Sequence, residues 1–139
     1  MKNKKLISFL SYLGLLPFYL LIVLYTKFDA FYFKDIFFFY SLIIVSFLSG
    51  CSWINLTLTN NKLLIVITIL IPIISLISEI FFISELKIIL NCLLFYLLFF
   101  IDNKYLDFKK EYIYLRRNLT YLVIIAQIMM LFIIYSNRI

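Results

Sequence analysis

The sequence predicts an all-α membrane protein, a polytopic bundle of five transmembrane helices. Of its 139 residues, 65% are hydrophobic and 14% are charged, whereas a soluble domain is about 45–50% apolar and about 25% charged. The mean hydropathy is +1.09. The apolar residues fall into five runs separated by short polar stretches, and a membrane-spanning helix needs about 20 mostly apolar residues. We therefore expect a single integral membrane domain over residues 1–139 and exclude a soluble globular fold.

The first two spans are predicted over residues 6–26 and 36–56. The first follows a basic start, and its apolar run is longer than the hydrophobic region of a signal peptide and lacks a small-x-small cleavage site. We therefore interpret it as a retained signal anchor. Pro17 lies in the middle of this span, where it frees a backbone carbonyl and can kink the helix.

The third and fourth spans are predicted over residues 63–82 and 86–101, with Pro72 near the centre of the third. A single helix across both would be about 58 Å long at roughly 1.5 Å per residue. The hydrocarbon layer is about 30 Å thick, so a turn is required, and the charged residues place it at residues 84–87. The fifth span is predicted over residues 119–135.

The distribution of basic residues predicts the orientation. With five spans, nine Lys and Arg residues fall on one side and four on the other. The nine are Lys2, Lys4, Lys5, Lys62, Lys104, Lys109, Lys110, Arg116 and Arg117. If the fourth run did not cross, the split would be eight against five with the orientation reversed, which is a weaker bias. Cytoplasmic loops carry the excess of Lys and Arg, so we expect the N-terminus inside and the C-terminus outside.

The composition argues against several kinds of chemistry. The chain has no histidine and no Cys-x-x-Cys motif, which disfavours most zinc sites, redox motifs and the usual general base of hydrolases. We therefore expect no enzyme activity, no cofactor and no metal. The net charge of +6 fits loops that face anionic membrane lipid better than it fits a nucleic-acid partner.

Three short stretches hold most of the uncommon residues. They are Gly14-Leu-Leu-Pro17-Phe18, Ser46-Phe-Leu-Ser49-Gly50-Cys51-Ser52-Trp53, and Tyr112-Ile-Tyr-Leu115-Arg116-Arg117-Asn-Leu119-Thr120. With Tyr40, Pro72 and Asp102 between them, their order and spacing resemble the pattern of the bacterial domain-of-unknown-function family 3429. A eukaryotic relative of that family is transmembrane protein 69 of mitochondria. The departures are Ser49 and Ile54, where the family tends to glycine, and Glu111, where it has a second tryptophan.

The resemblance implies an integral protein of the cell inner membrane, or of the mitochondrial inner membrane in a eukaryote, with no assigned activity. It covers nearly the whole chain. It sharpens the class of protein and leaves the function open.

The small residues of the second span predict a helix-packing face. Ser46, Ser49, Gly50 and Trp53 recur at helical spacing, and Ser46-x-x-x-Gly50 is a small-x-x-x-small pattern that lets another helix approach closely. The alternative is a groove, with Trp53 at its mouth, that holds a lipid or a quinone-like ring.

The ends of the fourth and fifth spans predict a polar cluster. Asp102 ends the fourth span, Arg116 and Thr120 begin the fifth, and in the five-span arrangement both ends meet the same leaflet together with Trp53. A bidentate Asp102–Arg116 pair is then available. We expect either a structural clamp or a site for an anionic head group or substrate.

Glu79 is the acidic residue that could lie at membrane depth. An ionisable group there is a candidate for proton coupling. The alternative is that Glu79 reaches the outer interface, where Lys87 is its partner.

Two functions remain from this reasoning. The first is a non-catalytic accessory or assembly module that binds membrane lipid and another inner-membrane protein, or a second copy of itself. The second is a small proton-coupled carrier that works as a homodimer, with helices broken at Pro17 and Pro72.

Overall fold

The computed structural model describes residues 4–28, 31–59 and 61–137. These residues form six α-helices and, within those ranges, no strand: α1 (Lys4–Leu13), α2 (Leu16–Phe28), α3 (Phe31–Leu56), α4 (Lys62–Phe81), α5 (Ser84–Tyr105) and α6 (Lys110–Ser136). α1 and α2 together form one long apolar segment, so the described chain contains five helical segments long and apolar enough to cross a membrane. The all-helical class and the number of apolar segments are confirmed.

Several helices extend beyond the apolar runs that predicted them. α3 begins at Phe31 rather than residue 36, α5 spans Ser84–Tyr105 rather than 86–101, and α6 begins at Lys110 rather than residue 119. Charged side chains in a terminal helical turn can reach the polar surface while their stems stay on the helix. Hydropathy therefore located the apolar part of each helix and missed its ends.

The turn between α4 and α5 lies earlier than predicted. Phe82 and Ile83 are extended, and α5 begins at Ser84, so the charged residues of the predicted turn belong to the first turn of a helix. Glu85 in that turn suits the positive end of the helix dipole. The turn at 84–87 was wrong by two residues, although the separation into two helices was correct.

α3 packs against α2, α4 and α5, and α6 packs against α5 and α2. After Phe37 and Phe38, the buried face of α3 carries small side chains at helical spacing, Ser41, Val45, Ser49 and Ser52, before it ends at Leu56. This face allows close packing in a bundle whose remaining core is dominated by large residues such as Phe18, Phe37 and Phe95.

The first span is interrupted close to Pro17, as predicted. α1 ends at Leu13 and α2 begins at Leu16. The Phe18 N–H bonds to the carbonyl of Leu15 at 3.1 Å rather than to that of Gly14. The hydroxyl of Tyr40 on α3 instead donates to the Gly14 carbonyl at 2.6 Å. A hydroxyl thus replaces the backbone donor that the break removes.

The same device operates at Pro72, although α4 is continuous there. Proline has no N–H, so the Thr68 carbonyl lacks its normal partner four residues later. The buried hydroxyl of Ser49 on α3 donates to that carbonyl at 2.5 Å. α3 therefore supplies hydroxyl donors to the interrupted backbone on both of its sides.

Candidate functional site

A buried ion pair joins α5 to α6 at the end of the bundle where α3 and α5 end and α6 begins. Arg116 Nε donates to Asp102 Oδ2 at 2.9 Å, and Ser52 Oγ on α3 lies 2.5 Å from Asp102 Oδ1. Asp102 is 2% exposed and Arg116 is 5% exposed. We call Ser52, Asp102 and Arg116 the Asp102 cluster. It connects three helices through one carboxylate.

The chain positions this cluster through a short connection. Asp102 lies in the last turn of α5, and Arg116 lies in the second turn of α6. Residues 106–109 reverse the chain between these helices, which then pack against each other. Since the guanidinium is buried, the paired carboxylate offsets part of the cost of removing its charge from water.

The cluster differs in its details from the predicted one. The bidentate pairing was wrong, because the second carboxylate oxygen faces Ser52 rather than Arg116. Thr120 is buried beside Arg116, but its hydroxyl donates to the Arg116 carbonyl at 2.9 Å. Trp53 is 38% exposed, so Ser52 and not Trp53 is the residue of α3 in the cluster.

Ser52 was the residue that sequence reasoning missed. Its signal was the spacing of Ser41, Ser49 and Ser52, which places their hydroxyls on the buried face of α3. The predicted packing face was Ser46, Ser49, Gly50 and Trp53. Of these, Ser49 is buried against α4, whereas Ser46 and Gly50 are half-buried on the neighbouring face.

The expected close packing at Gly50 is absent within the chain. A Cβ atom built at Gly50 would meet nothing within 4 Å among the described residues, and Ser46 Oγ donates to the carbonyl of Leu42 in its own helix. The prediction that a neighbouring helix of this chain approaches Gly50 was wrong. The physical reason is that α3 turns Ser49 and Ser52, which lie one residue before and two residues after Gly50, toward its neighbours.

Glu79 lies at the opposite end of the bundle, in the last turn of α4. Its Oε1 atom is 3.4 Å from Lys87 Nζ, across the α4–α5 turn. The Lys87 ammonium also lies 5.3 Å from the centroid of the Phe38 ring at the beginning of α3. The Lys87 partner expected for Glu79 is therefore present.

Two further polar contacts cross the middle of the bundle. Gln127 Nε2 donates to Ser41 Oγ at 2.6 Å, joining α6 to α3. Ser75 Oγ donates to Asn91 Oδ1 at 3.4 Å, joining α4 to α5. Gln127 Oε1 is buried with no hydrogen-bond partner among the described residues.

Three distant stretches of sequence meet beside the Asp102 cluster. They line a mostly apolar cavity of about 180 Å³ between α1, α3 and α6. Gly14 and Phe18 come from the first stretch, Phe47 and Leu48 from the second, and Arg116, Leu119 and Thr120 from the third. These are the stretches that carry the sequence resemblance.

A family comparison decides the relationship. The model of "Protein of unknown function (DUF3429)" matches residues 3–132. The chain belongs to the DUF3429 family. No curated protein and no solved structure matches it. The family description assigns no function. The five apolar helical segments of this DUF3429 protein are compatible with a membrane protein.

In the part of the chain that the structure describes, no group of three or more Cys, Asp and Glu side chains is arranged to hold a metal ion. Asp102, the most buried carboxylate described above, is already engaged by Ser52 and Arg116.

Proposed function

We propose that this DUF3429 protein is a non-catalytic accessory or assembly module of a larger complex in the cell inner membrane. The observation that carries the proposal is the use of its interior polar groups. The contacts of Ser49, the Asp102 cluster, Gln127, Asn91 and Glu79 each join helices of the same chain. Groups committed in this way stabilise one arrangement of the bundle.

The Asp102 cluster is the clearest case. Breaking a buried ion pair leaves an uncompensated charge and costs about 3–5 kcal/mol. A carrier that alternates between two arrangements would have to preserve or exchange such contacts at each cycle. The bundle is therefore better suited to presenting a fixed surface than to moving a substrate.

The outer surface of α3 offers a place for a partner helix. Ser46 and Gly50 lie there with space beside the Gly50 backbone, and small residues at this spacing favour close contact between membrane helices. The partner would be another inner-membrane protein or a second copy of the chain.

The carrier alternative relied on Glu79 as a proton-coupling group. The ion pair with Lys87 at the end of α4 favours an interfacial anchor for this carboxylate. We therefore keep the accessory role as the proposed function.

Native mass spectrometry of the protein extracted in a gentle detergent tests this role. We expect a stable complex with a different membrane protein in the inner-membrane fraction. Gly50→Leu should release that partner without unfolding the chain, because the added side chain enters space that is open in the monomer. Gly50→Ala is the matched control and should retain the partner.

Two results would contradict the proposal. One is an isolated homodimer that catalyses proton-linked uptake of a solute. The other is a monomer without any protein partner in mild detergent and in intact membranes after cross-linking.

A further inference from the structure

The cavity beside the Asp102 cluster results from the break in the first span. α1 ends at Leu13, and its principal neighbour is α6, whereas α2 packs against α3. The space between α1, α3 and α6 is the cavity of about 180 Å³. Gly14, at the break, forms part of its wall.

The mouth of this cavity faces sideways. Leu10 of α1 is 53% exposed and Phe47 of α3 is 66% exposed, whereas Phe18 and Phe95 in the lining are buried. Exposed apolar residues in the spans of a membrane bundle face acyl chains. The cavity therefore opens toward lipid and has an aromatic floor.

One end of the cavity is polar. Along α6 its lining runs from Arg116 through Thr120 to Val123, a distance of about 10 Å at 1.5 Å per residue. Arg116 lies in the second turn of α6, close to the end of the bundle. The remaining lining along α6 and α3 is almost wholly apolar.

Arg116 has hydrogen-bonding capacity beyond the Asp102 cluster. A guanidinium carries five N–H donors, and the described residues include one hydrogen bond from it, that from Nε to Asp102. Arg116 also lines the cavity. An acceptor that enters the cavity therefore lies within reach of this side chain.

We propose that the cavity binds one acyl chain of an anionic phospholipid, with the lipid phosphate accepting hydrogen bonds from Arg116. Arginine suits this acceptor because its planar donors match phosphate oxygens. The exposed Lys5 lies in the first turn of α1, at the same end of the bundle. Its charge favours an anionic head group over a neutral one.

The volume agrees with a short segment of chain. An apolar cavity of about 150 Å³ binds benzene, so a cavity of about 180 Å³ accommodates about six carbons. The remainder of the lipid would lie along the outer surface of α1 and α3. Gly50 is not among the residues that line the cavity, and this binding site does not depend on the accessory role.

Native mass spectrometry of protein released from vesicles of phosphatidylethanolamine with a minor share of phosphatidylglycerol tests the proposal. We expect one retained phospholipid per chain, enriched in phosphatidylglycerol relative to the vesicles. Ile44→Phe places a larger side chain in the cavity and should reduce the retained fraction about tenfold, which corresponds to about 1.4 kcal/mol. Ile43→Phe, on the adjacent exposed position, should retain the lipid as the unmodified chain does.

A second pair of variants tests the head-group contact. Asp102→Asn combined with Arg116→Gln removes both charges together, so the bundle is not left with one buried charge, and should abolish the preference for phosphatidylglycerol. Arg117→Gln should preserve it. Circular dichroism of each variant establishes that the helices are intact.

Three outcomes would overturn the proposal. They are an unmodified chain that retains no phospholipid, an Ile44→Phe chain that retains it fully, and a preference for phosphatidylglycerol that survives the double substitution. Retention of an uncharged isoprenoid in place of phospholipid would also overturn it.

Discussion

Replacing Asp102 by asparagine removes the charge of a side chain that is 2% exposed and accepts from two helices. The amide can still accept one hydrogen bond, but Arg116 is left as a buried cation without its counter-charge. Breaking a buried pair in this way costs about 3–5 kcal/mol. Because the cluster lies near the end of the bundle, where Arg116 can reach toward the surface, we expect a loss of about 3 kcal/mol in the free energy of unfolding.

Equilibrium unfolding in mixed micelles of mild detergent and dodecyl sulfate measures this loss. Far-ultraviolet circular dichroism follows the helices, and the fluorescence of Trp53, the single tryptophan, follows the end of α3 next to Ser52. Lys104→Gln is the control, since Lys104 is exposed and its ammonium lies over the rings of Phe100 and Tyr105. We expect the control to change the unfolding free energy by less than about 0.5 kcal/mol.

A double substitution separates the pair from its parts. Asp102→Leu with Arg116→Met replaces both partners by apolar side chains, and such replacements are often neutral or stabilising. We expect this chain to be more stable than Asp102→Asn alone. The reasoning is refuted if the unfolding free energy of the Asp102→Asn chain equals that of the unmodified chain. It is also refuted if the losses measured for Asp102→Leu alone and for Arg116→Met alone add up to the loss in the double substitution.

Three further outcomes are expected. Ser49→Ala should cost about 1–3 kcal/mol of unfolding free energy in the same titration, because a buried carbonyl of α4 loses its donor; a change below 0.5 kcal/mol would contradict the role of this hydroxyl. Vesicles that carry the Glu79→Gln chain should show the same proton-linked solute uptake as vesicles that carry the unmodified chain, because the carboxylate acts as a partner of Lys87; uptake that depends on Glu79 would restore the carrier hypothesis. Reporter fusions in the α3–α4 loop, in the α4–α5 loop and at the C-terminus should indicate inside, outside and outside; a cytoplasmic C-terminus would refute the predicted orientation.

Composition and hydropathy were sufficient to predict five apolar helical segments. So much apolar surface can neither be buried in the core of a chain of this length nor be exposed to water, and a lipid bilayer is the solvent that accepts it. They could not predict where the helices end. Lys110 and Arg116 belong to α6, but their charges interrupt the apolar run. Arg116 is accommodated inside the bundle by Asp102, a contact between residues that no local pattern reveals.

The site was predicted in part for a similar reason. Asp102 and Arg116 are rare charged residues at the ends of neighbouring spans, so their pairing followed from topology. Ser52 and Gly50 are both small residues on one helix, and spacing alone does not decide which face meets a neighbour. The decision depends on the rotation of α3, which Ser49 and Ser52 help to fix through their partners on α4 and α5.

The hydroxyl donors of α3 have a consequence for biogenesis. The first span leaves the ribosome with an interrupted backbone at Gly14, and its acceptor receives the Tyr40 hydroxyl only after α3 has been synthesised. An unsatisfied carbonyl is costly in hydrocarbon, so the first span gains its full stability in lipid only beside α3. We therefore expect these two spans to enter the bilayer as a unit, with the insertion machinery holding the earlier one until the later arrives.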